Sequence, residues 1–394
     1  AGARRHHALR TRLRAAAKSH DRTHSHGLGR HAACFVSQHI GDVENGATFD
    51  AWSAARTRLE SLFDLAPAAL ACDMHPSYLS SQWAREQARE HNLPLIEVQH
   101  HHAHIASVMA EAIAAGRLAP DARVLGIAFD GTGAGTDGTI WGGEFLVAHL
   151  ADFERVAHLR TWALPGGAAS VHDARRNAFA LLSELDLLEH PGAAGLLNSL
   201  DEQTRSITAT MIERGINSPR TSSMGRLFDA AAAILGICGQ ATYEATRIEL
   251  EAAAWRALDG KIARFPDDNV GYSASGPSWL DGADVLDQKA LFEALLEGIE
   301  AGAPADRLAL DFHVAVARSS ARIATEICAR EGIGTVALSG GVFMNRLLLQ
   351  LLTRELKYAG LAVLVPHTVP VNDGCIAYGQ AAVASARLAQ IASQ

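Results

Sequence analysis

The chain places four histidines in five positions, His100, His101, His102 and His104. In VQHHHAHIASVMA a strand-like apolar run passes directly into a helical pattern. His100 and His104, one helical turn apart, then project from one face and are spaced to share a metal ion. A solvated or hydrogen-bonded histidine cluster is the alternative. A zinc-peptidase site is excluded, because its general base is a glutamate directly after the first histidine, and His101 stands there.

Two glycine turns offer a second kind of chemistry. FDGTGAGTDG presents backbone N–H groups at Gly131, Gly133, Gly135 and Gly138 with no side chains to block a phosphate chain. Asp130 and Asp137 flank them, placed to hold a metal or water. An ordinary glycine-rich hairpin would read the same. In LSGGVFMN, which follows a strand and opens a helix, Gly340 and Gly341 let the backbone approach a nucleotide near a helix N-terminus. A tight strand-to-helix turn fits equally, and neither the P-loop nor the dinucleotide fingerprint is matched. Asp373 in HTVPVNDGCIAYGQ stands where a loop enters the last helix, the usual place of an N-cap. Asp229 lies inside the apolar helical run of MGRLFDAAAAILG. A buried, unpaired acid is costly there, so Asp229 either faces solvent or binds something.

The elements that must carry these residues read as two α/β regions around a helical block. Residues 68 to 101 give strand, helix, strand, and VLGIAFDGTGAGTDGTIWGGEFLVAHL gives a hairpin. Residues from about 156 to 310 are mostly helical, interrupted by a looser polar segment between Pro266 and Gly282. The strand GTVALSGG, the helix VFMNRLLLQLLTRELKYAG, the strand LAVLVP and a closing helix from Asp373 to Ile391 complete the chain. The expected layout is α/β lobes at about 34–154 and 310–394 around a mainly helical block 155–309, preceded by an atypical basic segment 1–33.

Composition bounds the function classes. With 394 residues and 48% hydrophobic content the chain can bury a large core. A net charge of −8 disfavours a nucleic-acid partner held mainly through phosphates. The five cysteines lie far apart with no CxxC pair, which suggests neither a disulfide framework nor a cysteine zinc site and fits a reducing cytoplasm. No apolar run approaches the ~20 residues of a membrane-spanning helix, so no membrane partner is expected.

Taken in order, ACDMHPSYLSS, VQHHHAHIASVMAE, FDGTGAGTDGTIWGGEF, HLRTWALPGG, TSSMGRLFDA, LSGGVFMNRLL and VPVNDGCIAYGQ resemble the C-terminal domain of HypF-type carbamoyltransferases of [NiFe]-hydrogenase maturation. The match runs from FVSQHIGDVEN almost to the end. That domain is related to the TsaD-type transferases and to the two-lobed ATPase fold of actin, sugar kinases and heat-shock chaperones. The resemblance implies that α/β fold, with a helical insertion. Carried over by motif, it implies His100, His104 and Asp373 as ligands of a divalent metal, zinc or iron, with Asp130 as the catalytic residue facing phosphates and metal. It implies Gly131, Gly133, Gly340, Gly341 and Asn345 in nucleotide binding, Asp229 at the ribose hydroxyls and Glu244 beside it.

The implied reaction passes a carbamoyl group from carbamoyl adenylate, made from carbamoyl phosphate and ATP, to the C-terminal cysteine of a HypE-type partner in the cytoplasm. Two departures stand out. The acylphosphatase-like, zinc-finger and YrdC-like parts of full HypF proteins are absent, so the chain reads as truncated. The usual glycine-rich first strand is replaced by AAAKSHDRTHSHGLGRHAACF. A TsaD-type tRNA threonylcarbamoyl transferase and a non-catalytic scaffold that binds the HypE-type partner are the rival readings.

Overall fold

The computed structural model describes residues 34–38, 40, 43, 45–237, 245–258 and 285–393. Residues 1–33, Glu244 and the polar segment from Pro266 to Gly282 lie outside the described residues. The first part of the chain alternates strand and helix: α1 (Gly46–Leu62), β1 (Leu70–Asp73), α2 (Leu79–Glu90), β2 (Leu95–Val98) and α3 (His100–Ala114). Strands β3 (Val124–Ala134), β4 (Ile140–Ala148), β5 (Phe153–Leu159) and β6 (Trp162–Ala163) follow. Helices α4 (Ala168–His172), α5 (Ala174–Glu184), α6 (Ala194–Ser199) and α7 (Glu202–Arg214) lead to β7 (Arg220–Thr221). Then come α8 (Met224–Ile234), α9 (Ala245–Ala257), β8 (Val285–Leu286), α10 (Lys289–Glu300) and α11 (Ala305–Glu331). The chain closes with β9 (Thr335–Ser339), α12 (Arg346–Tyr358), β10 (Ala362–Leu364) and α13 (Ile376–Ala392).

These elements form two units. One comprises the described residues of Ala122–Ala148 and Phe153–Val365; the other comprises the described residues up to Asp121 together with His149–Asp152 and the described residues from Pro366. The described residues of the block expected at 155–309 therefore group with the sheet rather than standing apart. It also contributes strands to that sheet: β5 pairs antiparallel with β4, and β8 pairs with β5. Two-residue strands such as β6, β7 and β8 are too short to show a period of two, so the sequence pattern does not reveal them.

The sheet of the first unit runs β10, β9, β3, β4, β5, β8. Strands β3, β9 and β10 are parallel and β3–β4–β5 antiparallel, the hairpin foreseen from the two aliphatic runs around the glycine turn. Both faces of the central strands are covered, which is why Val124 to Phe129 read as continuous apolar residues and are buried without alternation. Pairing with β4 shifts register between Phe129 and Gly133, at the point where the chain must turn the Asp130 segment out of the ladder. Phe129 stacks on Phe343 (5.4 Å between centroids), joining the middle of β3 to the turn after β9.

In the second unit β1 and β2 pair in parallel, Leu70 opposite Leu95 and Asp73 opposite Val98. Val98, Ala103, Ala106, Ile376 and Val383 form a core in which α3 packs on α13. That packing is close enough to demand a glycine: a Cβ on Gly379 would stand 1.8 Å from the Ala103 carbonyl oxygen. Sequence pattern and contact thus agree on why the histidine helix is buried. Eleven of its fifteen residues, all four histidines included, are out of solvent, because small residues let the closing helix lie directly against it.

Candidate metal centre and glycine-loop site

The histidine helix starts at the end of β2, where the Gln99 side chain caps it by accepting from the His102 N–H at 2.9 Å. This first turn orients the rings differently. His102 donates from Nε2 to the His149 carbonyl (2.9 Å), and His101 Nδ1 meets the Gln99 amide at 3.1 Å. Those two histidines are hydrogen-bonded core residues. Burial pushes the His102 ring down to about 4, against the opposing pull of the His149 carbonyl, so it is neutral at physiological pH.

The other two histidines point to a common place. His104 Nε2 lies 3.3 Å and His100 Nε2 3.8 Å from Asp373 Oδ1. The second nitrogen of each ring is held from behind: His100 Nδ1 faces the buried Asp73 carboxylate at 3.3 Å, and His104 Nδ1 faces Cys375 Sγ at 3.3 Å. Carboxylate–histidine contacts of this kind orient metal-ligating imidazoles. With metal–ligand bonds of 2.0–2.2 Å, tetrahedral donors stand roughly 3.4 Å apart, so the two nitrogens and one oxygen suit a divalent ion with an open coordination position. A two-imidazole, one-carboxylate set accepts zinc or ferrous iron alike.

Asp373 does not cap the closing helix as its position in the sequence led one to expect. The closing helix α13 starts after Cys375 without a side-chain cap; Asp373 opens the short 3-10 turn Asp373–Cys375 ahead of it, and that turn is capped by Asn372, whose side chain accepts from the Gly374 N–H at 3.2 Å. Because its neighbour satisfies the backbone, the Asp373 carboxylate is left to face the histidines.

In the first unit, Asp130 stands at the register shift of β3 with its carboxylate folded back over backbone. Its Oδ1 accepts from the Gly131 N–H (2.7 Å) and the Gly341 N–H (3.2 Å). Two converging N–H groups make a small anion-binding nest, and a carboxylate oxygen of this chain lies in it. Asp130, Gly131 and Gly341, from the two separate glycine turns, are thus brought together. Gly133 lies in β3 opposite Trp141, beyond the shift. Gly340 has φ +111°, and a Cβ there would meet the Phe129 carbonyl oxygen at 2.2 Å, so the close approach of β9 to β3 excludes any other residue.

Asp137, at the turn, accepts from the Thr139 N–H and hydroxyl, Trp141 Nε1 and Arg155 Nη1. Burial works against its ionised form, but these hydrogen bonds and the Arg155 charge outweigh it and hold the carboxyl below its ordinary range.

Asp229 neither faces solvent nor lies unpaired. It is buried in α8 and ion-paired with Arg226, one turn earlier, at 2.8 Å. Asn345 caps α12, accepting from the Leu348 N–H at 2.9 Å, while its amide nitrogen meets Nε2 of the fully buried His313 at 2.8 Å. His313 donates from Nδ1 to the Ala309 carbonyl, so Nε2 is the acceptor in this pair. Burial pushes that ring down to about 4. Glu244 lies outside the described residues.

Sequence reasoning passed over Asp73, Cys375, Arg226 and His313. Each acts behind a candidate residue through a contact distant in sequence or a side chain of common type, and a lone sequence carries no signal for either.

Residues 126–380 match the family model described as a carbamoyltransferase, Kae1-like domain, second subdomain. Residues 17–111, beginning inside the basic segment, match the HypF Kae1-like domain. A carbamoyltransferase HypF homolog of Cupriavidus necator is 39% identical over 88% of this chain and 84% of its own length. The carbamoyltransferase HypF of Rhizobium leguminosarum bv. viciae is 37% identical over 90% of this chain but 43% of its own. A crystal structure of full-length HypF in a phosphate- and nucleotide-bound form superimposes with TM-score 0.79 and 36% identity, covering 90% of this chain and 52% of that one. The chain thus spans about half the length of such full-length relatives.

Proposed function

The chain belongs to the HypF carbamoyltransferase family and has its Kae1-like, actin-related α/β fold, and from that premise we propose that it is the transferase module of hydrogenase maturation. In this reading it takes carbamoyl adenylate, formed from carbamoyl phosphate and ATP, and passes the carbamoyl group to the C-terminal cysteine of a HypE-type protein. The partner's thiolate sulfur bonds to the carbamoyl carbon, the bond from that carbon to the phosphate oxygen breaks, and AMP leaves.

The observation that carries the proposal is the convergence of His100 Nε2, His104 Nε2 and Asp373 Oδ1, each imidazole fixed from its other nitrogen. These three would hold zinc or ferrous iron. The bound ion supplies Lewis acidity toward a carbamoyl or phosphoryl oxygen. The N–H groups of Gly131 and Gly341 form the phosphate-facing nest, into which a phosphate oxygen would enter by displacing the carboxylate of Asp130, the residue assigned to the catalytic role. Gly133, Gly340 and Asn345 are assigned to the nucleotide, and Asp229 and Glu244 to its ribose.

The test incubates the metal-loaded chain with a HypE-type protein, carbamoyl phosphate, ATP and a YrdC-like protein, and reads the partner by intact mass. One carbamoyl group on the partner cysteine is expected, and its disappearance in His104→Ala or Asp373→Ala with the fold retained. No modification by metal-loaded wild type overturns the transfer reading and favours a binding scaffold.

A further inference from the structure

The glycine loop that carries Asp130 is tied to a buried carboxylate the reaction does not use. Glu144 on β4 is fully buried and accepts from the Gly142 and Gly143 N–H groups (2.9 and 3.0 Å), the Ser222 hydroxyl and Arg155 Nε (2.6 Å). Arg155, from β5, then spreads its fork. Nη1 donates to Asp137 at the loop tip (3.0 Å) and Nη2 to Ser222 Oγ (3.3 Å), while its guanidinium lies 4.1 Å over the Trp141 ring. At the loop's other end the Ser223 hydroxyl reaches the Asp130 and Gly131 carbonyls at 2.9 and 2.7 Å. A buried carboxylate is costly unless paired, and here the pairing partner is shared with an exposed turn. Nothing in a plain hairpin needs that arrangement, since Thr139 and Trp141 already hold Asp137.

We propose that Arg155 is a positioning residue for the Asp130 loop, anchored on Glu144 and holding the loop through Asp137. Its effect on ligand rests on the nucleotide reading above; its grip on the loop does not. An arginine is required because its planar fork spans two carboxylates and a hydroxyl at once, whereas a lysine ammonium is a single point charge.

The test compares Arg155→Lys, which keeps a cation beside buried Glu144, with Asp137→Asn, which keeps the oxygen that accepts from Thr139 and Trp141 but replaces the one that accepts from Arg155, using AMP as probe. Both variants are expected to keep the wild-type melting temperature and to bind AMP about tenfold more weakly, the loss of one charge-assisted hydrogen bond. Hydrogen exchange at loop amides 131–139 should quicken in both, while β9 stays protected. Combining the two substitutions should add little, because they cut the same link. Unchanged exchange in both variants overturns the proposal, as does faster exchange with unchanged AMP affinity, or weaker binding only in step with a lower melting temperature. If wild type binds no AMP, the nucleotide reading fails, and the exchange data alone decide whether Arg155 holds the loop.

Discussion

The carboxylate of Asp73, at the end of β1, stands 3.3 Å from Nδ1 of His100, at the start of the histidine helix, and both side chains are buried. That contact fixes which imidazole nitrogen is presented to Asp373. Asp73→Asn keeps the shape and can still accept from the His75 N–H, which now donates to Asp73 Oδ1 at 2.8 Å, but removes the charge behind the ligand. Metal affinity should fall by roughly 10- to 100-fold with little loss of fold. Chelator competition measures it, and wild-type affinity in the variant would remove Asp73 from any role in the site.

The Asp229–Arg226 ion pair complicates the ribose assignment, because Asp229→Ala leaves a buried guanidinium without its carboxylate, a loss on the order of 3–5 kcal/mol. The double variant Asp229→Ala, Arg226→Met removes both charges and should recover most of that stability. If Asp229 holds ribose hydroxyls, AMP binding stays weak in the double variant while metal binding at His100, His104 and Asp373 is untouched. Recovery of AMP affinity along with stability would make Asp229 a structural residue only.

Much of this was legible beforehand, for identifiable reasons. The histidine pair follows from helical spacing, and the hairpin from two aliphatic runs around glycines, because local periodicity and turn chemistry determine both. What was not legible depends on long-range pairing. A 3-10 turn capped by Asn372 precedes the closing helix that Asp373 was expected to cap, Arg226 neutralises Asp229, and β5 and β8 draw the helical block into the sheet. Arg155 and Glu144 are ordinary charged residues on neighbouring strands, and only the pairing of His158 with Glu144 and of Arg155 with Leu146 across β4 and β5 brings their side chains together.

The buried His313 gives the fold a defined acid weakness. Its ring is pushed from 6.5 down to about 4 by burial, so between those values the unfolded chain takes up a proton that the folded chain refuses. Stability therefore rises with pH across that window, is complete above about 6.5 and is lost toward 4, by at most ~1.4 kcal/mol per pH unit for one group. His102 adds to the same limb. His313→Gln should make the acid limb shallower without abolishing it. Denaturant midpoints between pH 4 and 7 give the slope, and an unaltered slope overturns the assignment to His313.

The most exacting prediction concerns Gly379, which bears no ligand. A methyl group there would lie 1.8 Å from the Ala103 carbonyl oxygen and 2.6 Å from its carbon, and both are backbone atoms of the turn between His102 and His104. No rotamer change relieves a contact of that kind, so α13 and α3 must move apart. Asp373 sits immediately before α13 and His104 on α3, so the separation opens the 3.3 Å gap between Asp373 Oδ1 and His104 Nε2. Gly379→Ala should therefore cost at least the ~1–3 kcal/mol of an overpacked core and also lose metal beyond what the unfolded fraction accounts for. Ser385→Ala, on an exposed position of the same helix, should change neither. Thermal unfolding read beside metal content of the folded fraction decides the matter: a Gly379→Ala protein with wild-type metal affinity would mean that the ligand geometry does not depend on how closely the two helices pack.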